Sequence, residues 1–422
     1  MGRAPRVVVV GGSQAGLMTA IALGEIGCDV HVFERSAKPL KDRGAGINLH
    51  VALVDLLSHR ASLDLAPLSC SVTTQQYLGP QNEVVYREPL AMTFSSWNAL
   101  FQLLHGSLGE ATYHLDATFV DHAPAGSTVV ARFTDGRIET ADLFVFADGI
   151  SSTGRSILTP QAGPRYAGYV VWRGCVREAE MSPEYRELFD KTHTTCLLDQ
   201  SHMNLYLVPG PKDTPRAANR LFNFVWYRNV AEGDALENLT TDKNGTIRSI
   251  SIPPGFVQDR FVNELRHAAV ELLPPAAAEL VVKTSNPFVQ VIYDVEVDRM
   301  AWGRACLVGD AAFLARPHLG AGTAKAAENA WALASAIERT DGDMLAALEI
   351  WEPAELDLGK ATVHRSRDLG NRLQFNCIHP SEHSAQIRAP LRDQAARLAP
   401  EIGTVGPGVR AGAANRAPTR HG

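Results

Sequence analysis

The chain lacks the marks of several protein classes. It has no C-x-x-C pair: the six cysteines, Cys28, Cys70, Cys175, Cys196, Cys306 and Cys377, are scattered over 422 residues. Such spacing builds neither a zinc site nor a disulfide framework, and it suits small buried hydrophobes in a reduced, cytoplasmic setting. No apolar run approaches the roughly 18 residues that a membrane-spanning helix needs. No lysine or arginine run occurs and the net charge is −6, so the electrostatic footprint of a nucleic-acid binder is missing. The opening MGRAPR runs directly into a strand pattern without an apolar leader, so no secretory signal is expected. No internal repeat is visible. What remains, with 45% hydrophobic residues, is a globular chain long enough for two intimate domains.

Residues 6–36, RVVVVGGSQAGLMTAIALGEIGCDVHVFERS, organise the rest. Residues 7–10 are all valine, the pattern of a buried parallel strand. Gly11, Gly12, Ser13, Gln14, Ala15 and Gly16 make a turn. Leu17, Ala20, Ile21, Leu23 and Ile26 then recur near a helical period, and Gly27 stops that helix. A second strand at 30–33 ends in Glu34. A βαβ unit of this kind aims backbone N–H groups and a positive helix end at a pyrophosphate, while the acid accepts ribose hydroxyls. The usual G-x-G-x-x-G is here G-x-S-x-x-G. Ser13 replaces the middle glycine with a small hydroxyl that can itself bond a phosphate oxygen.

Two later segments repeat the design of strand, then glycine. Residues 143–146 (LFVF) run into Asp148-Gly149-Ile150-Ser151-Ser152-Thr153-Gly154-Arg155. An acceptor, small residues and a cation then stand at a sheet's carboxyl edge, where open α/β sheets bind ligands. Residues 305–308 (ACLV) run into Gly309-Asp310-Ala311-Ala312. Arg316-Pro317-His318-Leu319-Gly320-Ala321-Gly322-Thr323 follows, opening an alanine-rich helix to about residue 339. Between these sites the composition changes. Residues 168–176, 194–198, 204–208 and 220–227 read as strands rich in Tyr, Trp, Phe and Val, joined by strands at 71–78 and 83–88. Helices are expected at 51–58, 95–108, 182–190, 257–272 and 343–376, loops at 213–220 and 231–244, and a hairpin turn at Thr134-Asp135-Gly136. The glycines after Lys41, Asp42 and Arg43 suggest close backbone approach to a bulky group.

The expected fold class is α/β. A Rossmann-like domain of 1–70, 95–165 and 292–378 is interleaved with a mostly antiparallel β-sheet substrate domain of 71–94 and 166–291. A C-terminal extension, 379–422, is expected to be partly disordered, since its end from 403 is rich in Gly, Ala, Pro and Arg.

Together the three glycine sites suit one long anionic ligand. The first fits ADP, the second a pyrophosphate-to-ribityl region, and the third a heterocycle that becomes anionic on reduction. FAD meets all three, whereas a nicotinamide dehydrogenase needs only the first. At these motifs the chain resembles a known family. Asp148-Gly149-x-x-Ser152-x-x-Arg155 matches the DG motif of the single-component FAD-dependent aromatic hydroxylases, the p-hydroxybenzoate hydroxylase-like monooxygenases. Gly309-Asp310-Ala311-Ala312, with Pro317 and Gly320-x-Gly322, matches their GD motif. The resemblance covers about residues 5–375. Tyr166-Ala167-Gly168-Tyr169, Trp172-Arg173-Gly174, residues 223–233, Val297-Asp298-Arg299-Met300, Arg316-Pro317-His318 and Ala324-Lys325-Ala326 further resemble the hydroxypyridine-acting subfamily. Trp97, Phe313 and Asn329 depart from the Arg, His and Asp common in the wider family.

The resemblance implies a cycle in which NAD(P)H reduces FAD, O2 forms a C4a-hydroperoxide, and oxygen passes to a small electron-rich aromatic or N-heteroaromatic ring, hydroxypyridine-like. Urate, a phenolic acid or a biosynthetic intermediate are the alternative substrates. The absence of W-x-W-x-I-P argues against halogenation, and a flavin-binding regulator is the non-enzymatic alternative. The partners implied are the substrate, O2, NAD(P)H and a second copy of the chain, with no metal. The cofactor candidates are Gly11, Ser13, Gln14, Ala15, Gly16, Glu34 and Arg35 at the ADP end, then Val120, Asp148, Asp310, Pro317, Gly320, Ala321, Gly322 and Thr323. The catalytic candidates are His318, to polarise or deprotonate a substrate hydroxyl, Pro317 beside the reacting ring, and Tyr206 and Tyr227 on a sheet roofing the flavin. Arg173 and His202 are further candidates for substrate contact, and Asp294 reads as structural.

Overall fold

The computed structural model describes residues 3–40, 46–108, 113–210, 220–375 and 378–385. Lys41, Asp42, Arg43, Gly44, Ala45, Cys377 and the tail from 403 therefore lie outside the described residues, as do 213–219. The valine run forms β1 (Arg6–Val10), followed by α1 (Gln14–Glu25) and β2 (Asp29–Phe33). Then come β3 (Gly46–Asn48), α2 (Val51–Asp55), β4 (Cys70–Leu78) and β5 (Val84–Ser96). The Ser96 hydroxyl accepts the Ala99 N–H and starts α3 (Trp97–Gly106). Short strands β6 (Tyr113–His114), β7 (Phe119–Ala125), β8 (Thr128–Phe133), β9 (Ile138–Ala141) and β10 (Leu143–Phe146) lead to α4 (Thr153–Leu158). The central region holds β11 (Arg165–Arg177), α5 (Pro183–Phe189), β12 (Thr192–Leu198), β13 (Ser201–Pro209) and β14 (Arg220–Asn229). It continues through α6 (Asp234–Thr240), β15 (Ser251–Ile252), α7 (Asp259–Leu272), α8 (Pro275–Lys283) and β16 (Phe288–Asp294). β17 (Ala301–Trp302), β18 (Ala305–Leu307), α9 (Gly322–Arg339) and α10 (Met344–Phe375) complete it.

These strands make three sheets. One is ordered β17-β18-β10-β1-β2-β6, the second β15-β16-β11-β14-β13-β12-β4-β5-β3, and the third β7-β8-β9. In the first, β2, β1, β10 and β18 run parallel, with Phe33 level with Val10, Val10 with Phe146, and Phe146 with Leu307. Four strand ends thus lie at one edge, and the turns that follow them carry Glu34, Gly11, Asp148 and Gly309. Val7, Val8 and Val9 are wholly buried, which is why this strand reads as an unbroken apolar run rather than an alternating one. The nine-stranded sheet is antiparallel except where β12 runs parallel to β4. β3 pairs with β5 and so belongs to that sheet, although it precedes residue 71.

Two local expectations change. Residues 231–244, read as a loop, contain α6, which Asp234 and Glu237 in its first turn favour electrostatically. The alanine-rich segment of α8 was not foreseen; Pro275 starts it and its face packs into the second core. Phe313, where the wider family has His, is buried against α10, and a side chain at Gly359 would overlap its ring.

Candidate active site

The first glycine turn is held by steric demands that only glycine meets. Gly11 has φ +106°, and a Cβ there would stand 2.4 Å from the Ala147 carbonyl oxygen. A Cβ on Gly16 would stand 1.9 Å from the Gly11 oxygen. The helix start is thereby drawn against the strand end. Ser13 caps α1 without using its hydroxyl on the helix. Gln14 donates to the Trp97 carbonyl and accepts from the Thr323 hydroxyl, both at 3.3 Å, so the first turns of α1, α3 and α9 converge on it. Three helix N-termini there favour negative charge.

The DG and GD turns face each other. Arg155 is buried and donates to the Gly149, Ile150 and Ala311 carbonyls, tying the two turns together. Gly309 has φ +61° and presses on Ala15, which a Cβ would approach to 2.9 Å. Its N–H is taken by Asn329 at 3.0 Å. Asp148 accepts the Thr153 and Gly154 N–H groups through Oδ2, while its buried Oδ1 has no partner. Asp310 lines the neighbouring cavity and bonds to no described residue. Burial raises both carboxyls above the ordinary range. The unpaired Oδ1 of Asp148 and the Asp310 carboxyl, beside a bare helix start, are what a polyhydroxylated, phosphorylated ligand such as FAD satisfies.

Glu34 is buried and accepts the Gly12 and Ser36 N–H groups, each at 2.9 Å, so it also braces the turn. Arg35 is exposed beside it. Val120 lies on β7, 45% exposed.

Between the GD loop and the nine-stranded sheet lies a cavity of about 350 Å³. The sequence candidates Arg173, Tyr206, Tyr227, Asp310, Pro317, His318, Gly320, Gly322 and Thr323 all border it. Ala321 and His202 do not line it: His202 stacks behind Tyr227 at 4.2 Å and bonds to Gln374. Gly320, at φ +60°, brings the loop onto Asn48. His50, invisible as a site residue in the sequence, donates from Nε2 to the Leu319 and Gly320 carbonyls and holds that loop.

His318 is the end of a buried chain. Asp294 takes Arg316 in a fork, Nε at 3.0 Å and Nη2 at 2.8 Å, and also takes Arg367 at 3.1 Å. Arg316 Nη1 donates to the Tyr169 hydroxyl at 3.2 Å, and that hydroxyl lies 2.7 Å from His318 Nε2. A guanidinium only donates, so the tyrosine hydrogen goes to Nε2 and the imidazole carries its proton on Nδ1. Burial, then the neighbouring His202 and Arg316, hold the ring's pKa well below the usual histidine value. His318 is a neutral hydrogen-bond donor. Its Nδ1 is buried and bonds to no described residue. Asp294, read as structural, anchors this chain.

The opposite wall carries groups the sequence did not single out. His193 Nδ1 lies 2.7 Å from Gln75 Oε1, Gln75 Nε2 donates to Thr195 at 3.1 Å, and Thr195 donates to Asn204 at 2.8 Å. A lone histidine, glutamine or asparagine in a strand pattern carries no signal of which cavity it will face.

Residues 6–56 match the model of the pyridine nucleotide-disulphide oxidoreductases, and residues 166–294 match an FAD binding domain-like family. The 2,6-dihydroxypyridine 3-monooxygenase of Paenarthrobacter nicotinovorans is 35% identical over 370 residues, spanning 87% of this chain and 91% of that one. The structure of 2,6-dihydroxypyridine-3-hydroxylase from Arthrobacter nicotinovorans superposes with a TM-score of 0.83 at 33% identity, covering 90% of this chain and 95% of that one. An FAD-dependent urate hydroxylase of Mycolicibacterium vanbaalenii is 25% identical over 86% of this chain and 87% of its own. The chain belongs to the FAD-dependent aromatic hydroxylases of the p-hydroxybenzoate hydroxylase type. It is a flavoprotein monooxygenase that uses NAD(P)H and O2. Among the described residues no helix is long and apolar enough to cross a membrane.

Proposed function

We propose that this monooxygenase hydroxylates a small, electron-rich N-heteroaromatic ring of the hydroxypyridine kind. The observation that carries this is the cavity wall. Arg173, Gln290, Asn204 and His193 line it with polar groups, which a hydrocarbon ring would leave unpaired and ring nitrogens and hydroxyls would satisfy. The similarity to the dihydroxypyridine enzyme supports the same class. Urate or a phenolic acid is the second reading, favoured by the similarity to the urate hydroxylase.

In this reading residues 11–16 with Glu34 and Arg35 hold the ADP end of FAD, Val120 borders it, and Asp148 and Asp310 accept hydroxyls of the linker. Bound FAD supplies the oxygen-transfer chemistry. Gly320, Ala321, Gly322 and Thr323 present the α9 N-terminus to the electron-rich edge of the ring system. His318, at the cavity wall, favours the substrate's oxyanion, the form with higher electron density on the ring carbon to be attacked. Pro317, Tyr206 and Tyr227 fix the ring plane and keep out water. The cofactor domain takes 1–70, 95–165 and 292–378, the substrate domain 71–94 and 166–291, and 379–422 is an extension. A cytoplasmic setting accords with five free cysteines among the described residues. A homodimer is expected on light scattering.

The test is NADH and NADPH oxidation by the purified yellow protein against hydroxypyridines, purines and phenols, with product mass. Strong stimulation by a hydroxypyridine, with one oxygen gained, is expected. Oxygen insertion into phenols alone would overturn the heteroaromatic assignment.

A further inference from the structure

With its Nε2 lone pair given to Tyr169, His318 has no basic nitrogen left for the substrate. A ring hydroxyl that becomes more acidic as oxygen attacks needs an acceptor elsewhere in the cavity. We infer that His193, on β12, is the catalytic residue that takes the substrate's hydroxyl proton, through Nε2. This rests on the hydroxylase reading above.

Three observations converge. His193 borders the cavity while only 6% exposed. Its ring lies nearly parallel to those of Phe94, 5.7 Å away and 7° off plane, and Tyr206, 5.6 Å and 21°, so it cannot turn freely. Its protonation is set by the buried chain behind it. Asn204 Oδ1 accepts the Thr195 hydroxyl, Thr195 accepts Gln75 Nε2, and Gln75 Oε1 is left to accept the imidazole Nδ1–H. The remaining Nε2 keeps a lone pair and bonds to no described residue. Gln75 and Thr195 are wholly buried, and both ends of the chain, His193 and Asn204, border the cavity.

The two cavity imidazoles are therefore the same tautomer, with the proton on Nδ1 in each, but the Nε2 lone pair of His318 is taken by Tyr169 and that of His193 is not. Burial lowers the His193 pKa to about 4, so the free ring is neutral at pH 7. The titratable groups near it are Tyr206 and His383, and no described carboxylate bonds to it. In the step proposed, the substrate O–H bond breaks, an N–H bond forms at Nε2, and the electron pair stays on the ring oxygen. That anion faces the new imidazolium and Arg173. Arg173 is a cavity cation whose Nη groups donate to Gln290 and the Gly46 carbonyl, and it forms no ion pair with a described residue. The proton returns to the product oxygen before release.

The test uses FAD-loaded enzyme without reductant and 4-nitrophenol as a chromophoric ring hydroxyl, read by difference absorption against pH. In wild type the neutral Nε2 acceptor bonds the protonated phenol and holds its ionisation midpoint up. In His193→Gln, whose amide N–H can bond the phenolate, the midpoint should fall by about one unit, a tenfold change. With a productive substrate, His193→Gln should cut hydroxylation kcat by about 100-fold and lose its acid limb, with FAD content kept. An unchanged midpoint and an unchanged kcat–pH profile would overturn the proposal. Should His193→Gln fail to retain FAD, Thr195→Val reads the same chain. It should lower kcat several-fold and shift the same midpoint, and wild-type values for both would equally sink the idea. Absence of oxygen insertion by the wild type would instead sink the hydroxylase reading.

Discussion

The six-stranded and nine-stranded sheets contribute to the site in different currencies. On the first, the working groups are backbone N–H groups, helix ends and turn carboxylates at the level ends of β2, β1, β10 and β18. Each sits within a dozen residues of a recognisable glycine. On the second, they are side chains. Gln75 comes from β4, Tyr169 and Arg173 from β11, His193 from β12, Tyr206 from β13 and Tyr227 from β14. A sheet edge that binds through its backbone tolerates sequence change but not changes of shape. A sheet face that binds through side chains is the reverse, and there specificity can be rewritten without altering the fold.

The largest test of that contrast is Arg316→Leu. It leaves the Asp294 carboxylate, only 4% exposed, with Arg367 alone, and should cost about 3–5 kcal/mol in urea unfolding. It should also remove the donor that orients the Tyr169 hydroxyl toward His318. A change below about 1 kcal/mol would mean that the chain is not a rigid unit. On the backbone-defined side, Gly11→Ala adds strain at φ +106° and a clash with the Ala147 carbonyl, for about 3 kcal/mol. FAD retention should fall with it, as flavin absorbance after gel filtration will show. If FAD stays bound, the turn is less tightly specified than its geometry implies.

Glu355 tests the ground beneath the GD turn through pH. Burial, and then repulsion from Glu328, raise its carboxyl to about 7 from its ordinary 4.5. The folded state thus binds the proton more tightly than the unfolded one. Stability from this group is full below pH 4.5, is lost as pH rises to about 7, and then stays flat. Glu355→Gln should therefore melt higher than wild type at pH 8, by up to about 3 kcal/mol, with little difference at pH 4. Equal shifts at both pH values would contradict the raised pKa.

Tyr169→Phe removes one hydroxyl and should cost about 1 kcal/mol in stability. Its effect should fall instead on coupling. FAD content holds, while hydroxylation per NAD(P)H oxidised drops about tenfold as His318 loses its fixed tautomer. Smallest of all, Val120→Ser lies on an exposed strand position and should change stability by less than about 0.5 kcal/mol. A measurable loss of FAD affinity in that variant would show that this side chain contacts the cofactor.

The motifs of the first sheet were legible because their causes are local. Glu34 was found by its place after a strand, and its hydrogen bonds to Gly12 and Ser36 show that the same acid also shapes the turn. Arg155 was read as a cation near the ligand, and it turns out to spend its donors on three carbonyls. Asp294 and His50 were not read as site residues. Their partners, Arg316 and the Leu319 and Gly320 carbonyls, are 22 and about 270 residues away. α6 and α8 were missed or left as loop because short helices of ordinary composition are decided by what they pack against.

The chain by itself determined the βαβ unit, the DG and GD turns, the cofactor they suit and the presence of a second, antiparallel sheet. A positive φ or a run of buried β-branched residues leaves its trace in the few residues concerned. Only the tertiary structure decided that β12 pairs with β4, that Tyr227 lies opposite His202, and that His318 and His193 meet one cavity, the first with its Nε2 taken by Tyr169 and the second with its Nε2 open. Strand alternation says that a side chain faces one side or the other. Which strands become neighbours, and in what register, is set by packing between segments that for β12 and β4 lie more than a hundred residues apart, and no local pattern encodes it.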